Sequence, residues 1–165
     1  MASKKGIAIT VVILAVIAGA SFLFWMIPQG NESTFVISDY KNYLDGVKNI
    51  HEVLQESIDE DFQDLVDGKI TPDEYITTAE ITSTQVTAKI SEFVMSKPPE
   101  LWQESYIKYM DALKKFNSYI IETKVYANMV KEDAGEKDMS EILQKIEKLK
   151  EETKNSIENS DRSRP

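Results

Sequence analysis

The strongest constraint on the fold is a run of side chains that recur alternately every four and three residues in the second half of the chain. Its members are Trp102, Tyr106, Tyr109, Leu113, Phe116, Ile120, Thr123, Ala127 and Val130. Because an α-helix turns once every ~3.6 residues, this spacing places all of them on one face. An unbroken pattern of this kind is typical of a coiled-coil-like helix that packs along its whole length.

Two helices are predicted before this one, and both have recognisable ends. The first is expected to start at Ser38, as its cap, and to end at Asp67-Gly68, where glycine favours a left-handed C-cap. The second is expected to start at Thr71-Pro72-Asp73-Glu74, which has the form of a capping box with proline in the first turn. Pro98-Pro99 should end it, because proline disfavours helical geometry in the residue before it.

A fourth helix is predicted from Asp138, paired with Glu141 as a cap, and its apolar face ends at Ile157. Short connections favour antiparallel neighbours. We therefore predict an all-α fold, an up-and-down helical bundle of three long helices and a shorter fourth over residues 38–158. Residues 159–165 are predicted to form a disordered tail.

Composition restricts the chemistry. The chain has no cysteine, which excludes disulfides, thiolate metal sites and thiol nucleophiles. The net charge is −9, and it is −11 when Lys4 and Lys5 at the N-terminus are set aside. Binding to nucleic acid depends mainly on basic contacts with phosphate, so no nucleic-acid partner is expected.

A second dominant feature is the apolar run Gly6–Ile27, which follows Lys4 and Lys5 and contains no charge. As a helix, its length matches a hydrocarbon core of ~30 Å. The preceding lysines favour a cytoplasmic N-terminus. We predict residues 1–5 in the cytoplasm, a single membrane span at 6–27, a linker at 28–37 and the bundle outside the cell membrane.

A cleaved signal peptide is the alternative interpretation of this run. Ala18 and Ala20 fit the small-x-small rule for signal cleavage, and cleavage would make the protein secreted. The apolar residues after Ala20 speak against it, because they would form an unpartnered tail. A pilin-type leader is a third interpretation, although the usual glutamate near the start of the apolar run is missing.

The start Lys4-Lys5-Gly6, the span ending in Trp25-Met26-Ile27-Pro28 and the acidic, cysteine-free helical region together resemble small single-pass membrane proteins of ammonia-oxidising archaea. The resemblance extends over the whole chain, but it concerns the general organisation and composition and involves no diagnostic motif. It implies an envelope location and assigns no activity and no site residue.

One connection looks like part of a calcium loop. Residues 67–74 match the second half of an EF-hand loop, which makes Asp67, Thr71 and Glu74 candidate calcium ligands. The loop would also need oxygen ligands where Gln63 and Leu65 stand, and leucine cannot bind a metal ion. A corner between two helices explains the same residues and is the preferred interpretation.

Other candidate positions are few. Tyr119 and Tyr126 lie beside the main seam of the third helix and are predicted to form an interaction surface. His51 is the only histidine and is interpreted as a half-buried seam residue. Asn31 begins a glycosylation sequon, Asn-Glu-Ser, close to the predicted span.

No nucleophile motif, metal cluster or phosphate-binding loop is recognisable, so neither an enzymatic activity nor a cofactor is predicted. The function we predict is that of a membrane-anchored scaffold or accessory subunit that acts through a protein partner or as a homo-oligomer. The alternative is an extracytoplasmic module that binds a ligand or an ion.

Overall fold

The computed structural model of the protein describes residues 37–165, and every regular element in this range is an α-helix. The helices are α1 (Tyr40–Val66), α2 (Pro72–Met95), α3 (Glu100–Lys131) and α4 (Glu136–Arg162). The predicted all-α bundle is thus confirmed for this part of the chain. Among these described residues, no helix is both long and apolar enough to span a membrane.

Several sequence predictions concern residues before 37 and lie outside the described range. They are the cytoplasmic segment 1–5, the span 6–27, nearly all of the linker 28–37, the glycosylation candidate Asn31 and the cleavage candidates Ala18 and Ala20. They remain predictions from the sequence.

The predicted ends of α1 and the start of α2 agree closely with the structure. Asp39, one residue after the predicted Ser38, caps α1 by accepting a hydrogen bond from the Asn42 amide at 3.0 Å. Gly68 has a φ of +69°, the left-handed conformation expected after a helix. Thr71 and Glu74 form the predicted capping box.

The ends of the other helices agree in part. The second helix stops at Met95 and is followed by Lys97 with a φ of +42°, a conformation outside the helical region, as predicted before Pro98. The predicted Asp138 cap is wrong, because α4 starts one turn earlier, after Gly135, without a side-chain cap.

The predictions of a shorter fourth helix and of a disordered tail from residue 159 are also wrong. The fourth helix has 27 residues, against 24 in α2, and continues to Arg162. Ser160 is fully buried, and the Arg164 side chain after the helix pairs with Asp45 and Asp161. Small polar residues continue the inward face here, and an apolar pattern alone does not detect them.

The third helix is central, since it packs against each of the other three. Its backbone lies beside α4 over the greatest extent, then beside α2, and over the least extent beside α1. Side-chain size explains the order. Ser105 and Ser160 meet directly between α3 and α4, whereas rings fill the space toward α1, with His51 and Phe116 centroids 4.5 Å apart.

The start of α1 lies beside the connection between α2 and α3. The Tyr106 hydroxyl donates to the Tyr40 carbonyl at 2.8 Å, and the rings of Tyr43 and Phe93 are 5.8 Å apart. The end of α4 is at the same level, because Lys48 pairs with Asp161 at 2.7 Å. We call this end of the bundle, which contains the start of α1, the proximal end.

Candidate functional site

The tyrosines predicted to form an interaction surface lie inside the bundle. Tyr119 is 1% exposed and donates a hydrogen bond of 2.5 Å to Asp59 of α1. Lys150 of α4 completes the cluster, with its Nζ 3.2 Å from Asp59 and 5.8 Å from the centre of the Tyr119 ring. Burial, and then the bond to Asp59, raise the pKa of the Tyr119 hydroxyl.

Tyr126 is also buried, at 7% exposure, with its ring edge against Phe62 at 5.2 Å. The predicted interaction surface at Tyr119 and Tyr126 is therefore wrong. The main seam of α3 is buried from Tyr106 to Ala127, while Trp102 is half-buried and Val130 is exposed at its ends, and neighbouring helices also cover the flank beside it. Two adjacent faces of a central helix are buried in a four-helix bundle, and the heptad pattern marks only one of them.

The calcium candidates are held by local protein contacts. The Lys69 ammonium lies 2.8 Å from Asp67 and 2.9 Å from Asp64, so a cation is already present between these carboxylates. Thr71 and Glu74 bond to one another in the capping box, with the Thr71 amide 2.8 Å from Glu74 Oε2. Hydrogen bonds from Lys69 and Thr71 lower the pKa of Asp67 and of Glu74, respectively.

No group of three or more His, Asp or Glu side chains within residues 37–165 is arranged to hold a metal ion. The geometry at Asp67, Thr71 and Glu74 is that of a corner between two helices, the preferred interpretation from the sequence. It supports no calcium site.

His51 lies in the core between α1 and α3. Its Nδ1 is 2.9 Å from the Tyr109 hydroxyl, and its Nε2 has no hydrogen-bond partner among the described residues. Burial lowers the pKa of His51 to about 4, so the ring is neutral at pH 7. Besides the Tyr109 hydroxyl, its ring contacts are the aromatic rings of Tyr109 and Phe116, so the histidine is packed within the core.

An open groove of about 750 Å³ lies between α1 and α4. Its lining is dominated by charged and amide side chains: Gln55, Gln144, Glu147, Lys148, Lys150, Glu151, Lys154, Ile157 and Glu158. Small-molecule sites are usually enclosed and mostly apolar, with a few convergent polar groups. This groove is wide and has charges of both signs, so it is a solvated surface rather than a ligand pocket.

A different kind of surface is found on the outside of α2. Its exposed residues from 81 to 91 carry no charge: they are Ile81, Thr84, Thr87, Ala88 and Ser91. We call these five residues the uncharged face of α2. The one charged residue of this segment, Lys89, pairs at 2.8 Å with Glu92 just beyond it, and both are only about a quarter exposed. Glu92 also accepts a hydrogen bond from Tyr43 of α1 at 3.1 Å.

The hydroxyl groups of this face are bonded to their own helix. Thr84 donates to the Glu80 carbonyl at 2.9 Å, and Thr87 donates to the Ser83 carbonyl at 2.9 Å. Ser91 donates to the Thr87 carbonyl at 3.1 Å. Threonines bonded in this way satisfy their donors without water. The face can therefore be removed from water at a smaller cost than its composition suggests.

The sequence contained a signal for this face that apolar periodicity does not detect. The useful pattern is the absence of charge from every outward position between Glu80 and Met95. Searches of protein-family models, curated proteins and solved structures find no match to this chain. The uncharged face of α2 is thus identified as the candidate site by its own chemistry.

Proposed function

We propose that the protein is a membrane-anchored, non-enzymatic scaffold whose helical bundle lies outside the cell and acts by contact between proteins. The uncharged face of α2 is the proposed contact surface, and it is the observation that carries the proposal. The apolar run Gly6–Ile27 after Lys4 and Lys5 supports the anchor and its orientation.

The chemistry of the face fits another helix. Thr84, Ala88 and Ser91 are small, so a second helix backbone can approach closely, as at helix contacts rich in small residues. The hydroxyls are already bonded within α2, so a partner does not need to supply matching polar groups. Ile81 adds apolar area at the end of the face nearest Glu80.

The partner we propose is a second copy of this chain. The net charge of −9 makes most approaches between two copies repulsive. Contact between two uncharged faces places no exposed charges of the two copies directly against each other, so it meets less of this repulsion than contact through a charged surface would. Two chains anchored in one membrane share an orientation, so a two-fold axis along the membrane normal would bring equivalent residues together.

Cysteine crosslinking of the full-length protein in vesicles tests this proposal, because the chain has no native cysteine. Ala88→Cys should form a disulfide-linked dimer under mild oxidation, since equivalent positions face each other across the axis. Lys148→Cys, on the exposed surface of α4, is the matched control and should give a much lower yield. Equal yields from both variants, or no dimer from Ala88→Cys, would contradict the proposed contact.

A further inference from the structure

The connection between α2 and α3 presents large apolar side chains to solvent at the proximal end of the bundle. Val94 is 65% exposed, Met95 52% and Leu101 76%. We call these three residues the apolar corner. Leu101 and Val94 are more exposed than any other large apolar side chain of the described residues, although single exposed apolar residues are ordinary on protein surfaces. What is unusual is their concentration at one turn.

The backbone of the turn displays these side chains outward. Lys97 has a φ of +42°, and Pro98 and Pro99 follow it, so the chain reverses within four residues between Met95 and Glu100. The Ser96 hydroxyl is bonded to the Phe93 carbonyl at 2.7 Å and is buried beneath the turn. The Ser96 hydroxyl is thus turned away from the solvent at this turn.

The residues around the apolar corner are those of a membrane interface. Trp102 is half-buried, with its ring edge toward Tyr106, and Lys97 is exposed beside the corner. Tryptophan and lysine are common at the level of lipid headgroups, below which apolar side chains enter the lipid. Glu100 is also exposed at the turn, so a zwitterionic lipid surface fits better than a strongly anionic one.

The apolar corner lies at the same end of the bundle as the start of α1. The proximal end contains the start of α1, and residues 28–37 connect it in sequence to the apolar run Gly6–Ile27. Ten extended residues reach at most ~35 Å. An anchor formed by the apolar run would therefore be joined to the start of α1 by no more than this length of chain.

We propose that the apolar corner inserts Val94, Met95 and Leu101 into the outer lipid interface of the membrane that holds the anchor. This inference rests on the membrane anchoring in the proposed function. Together, the anchor and the corner would attach the chain to the membrane at two points.

Site-specific fluorescence in vesicles tests the insertion. Leu101→Cys in the full-length chain is labelled with an environment-sensitive dye and reconstituted into phosphatidylcholine vesicles. We expect blue-shifted emission and about threefold stronger quenching by nitroxide-labelled lipid than for Val130→Cys at the opposite end of α3. A dye on Met95→Cys should show the same lipid exposure and should lose it when Leu101→Asp is added.

The results separate this inference from the anchoring on which it rests. If the labelled chain floats with the vesicles but the dye at position 101 is as water-exposed as that at position 130, the insertion is wrong and the anchoring stands. If the chain does not float with the vesicles at all, both are wrong. Lipid exposure at positions 95 and 101 but not at 130 supports the insertion.

Discussion

The helices α2 and α4 pack on the same central helix but have opposite outer surfaces. The outer helix α4 has fourteen charged side chains among 27 residues, whereas α2 has five among 24. A charged surface is costly to remove from water, so α4 is suited to remain solvated. The uncharged face of α2 lacks that barrier. This difference locates a contact surface without any binding motif.

The two helices also use small polar residues in opposite ways. In α4, Ser160 points inward and bonds to Ser105 of α3, donating to its carbonyl at 2.8 Å. In α2, Thr84 and Thr87 point outward and bond to their own helix. The same residue types thus permit close packing inside the bundle on one side and, in our proposal, a contact outside it on the other.

Substitution of the buried serine should have the largest effect. Ser160→Leu inserts bulk where the buried Ser160 contacts Ser105 of α3 and removes the bonds between them, so the free energy of unfolding should fall by about 3 kcal/mol. Ala88→Leu, at an exposed position of α2, should change it by less than about 0.5 kcal/mol. Urea unfolding followed by circular dichroism measures both. Equal losses from the two substitutions would contradict this difference between α4 and α2.

The helix α1 also packs on α3, and it places titratable groups in partly or fully buried positions. The His51 pKa is lowered to about 4 by burial, so the unfolded chain binds the proton first as pH falls below ~6.5. His51 should therefore cost about 2 kcal/mol of stability at pH 5 relative to pH 8. Burial, and then the nearby Asp64 and Glu60, raise the pKa of Asp61 to about 6, so Asp61 acts in the opposite direction.

The two contributions are separated by comparing Asp61→Asn with the double variant Asp61→Asn/His51→Gln. Unfolding at pH 8 and pH 5 should show the loss on acidification in the first protein and a smaller loss in the second. An identical pH dependence in both would mean that His51 is not held neutral by burial.

A charge on the uncharged face of α2 should affect association rather than folding. Ala88→Glu would place two carboxylates near each other across the proposed two-fold axis, and dimerisation should weaken by at least about tenfold. Lys148→Glu is the control and should have little effect. Single-molecule photobleaching in vesicles measures the fraction of dimers. Similar weakening by both variants would show that overall charge, rather than this face, controls association.

The smallest effect is expected on the outer surface of α4. Lys148 and Glu152 are 3.8 Å apart and partly or largely exposed. Glu152→Gln should change the free energy of unfolding by less than about 0.5 kcal/mol, because solvent screens such pairs. A loss above 1 kcal/mol would show that the surface charges of α4 stabilise the fold and do more than keep this surface solvated.

Much of the helical architecture could be predicted from local patterns. The seam of α3, the left-handed Gly68 and the capping box of Thr71 and Glu74 all follow from interactions within a few residues, and the structure confirms them. The candidate surface could not be predicted as easily. Tyr119 looked exposed beside the seam, but whether a flank is covered depends on how many helices pack around it.

Local sequence patterns were enough to predict that the described part of this chain is helical, where α1 and α2 begin and end, and which face of α3 is mainly buried. Which serines and threonines lie inside the bundle depends on how the helices pack against one another. Their hydroxyls can bond to their own helix backbone, so they fit a buried contact and an exposed face equally well. Ser160 is buried because α3 approaches it, and Thr87 is exposed because no described helix covers that side of α2.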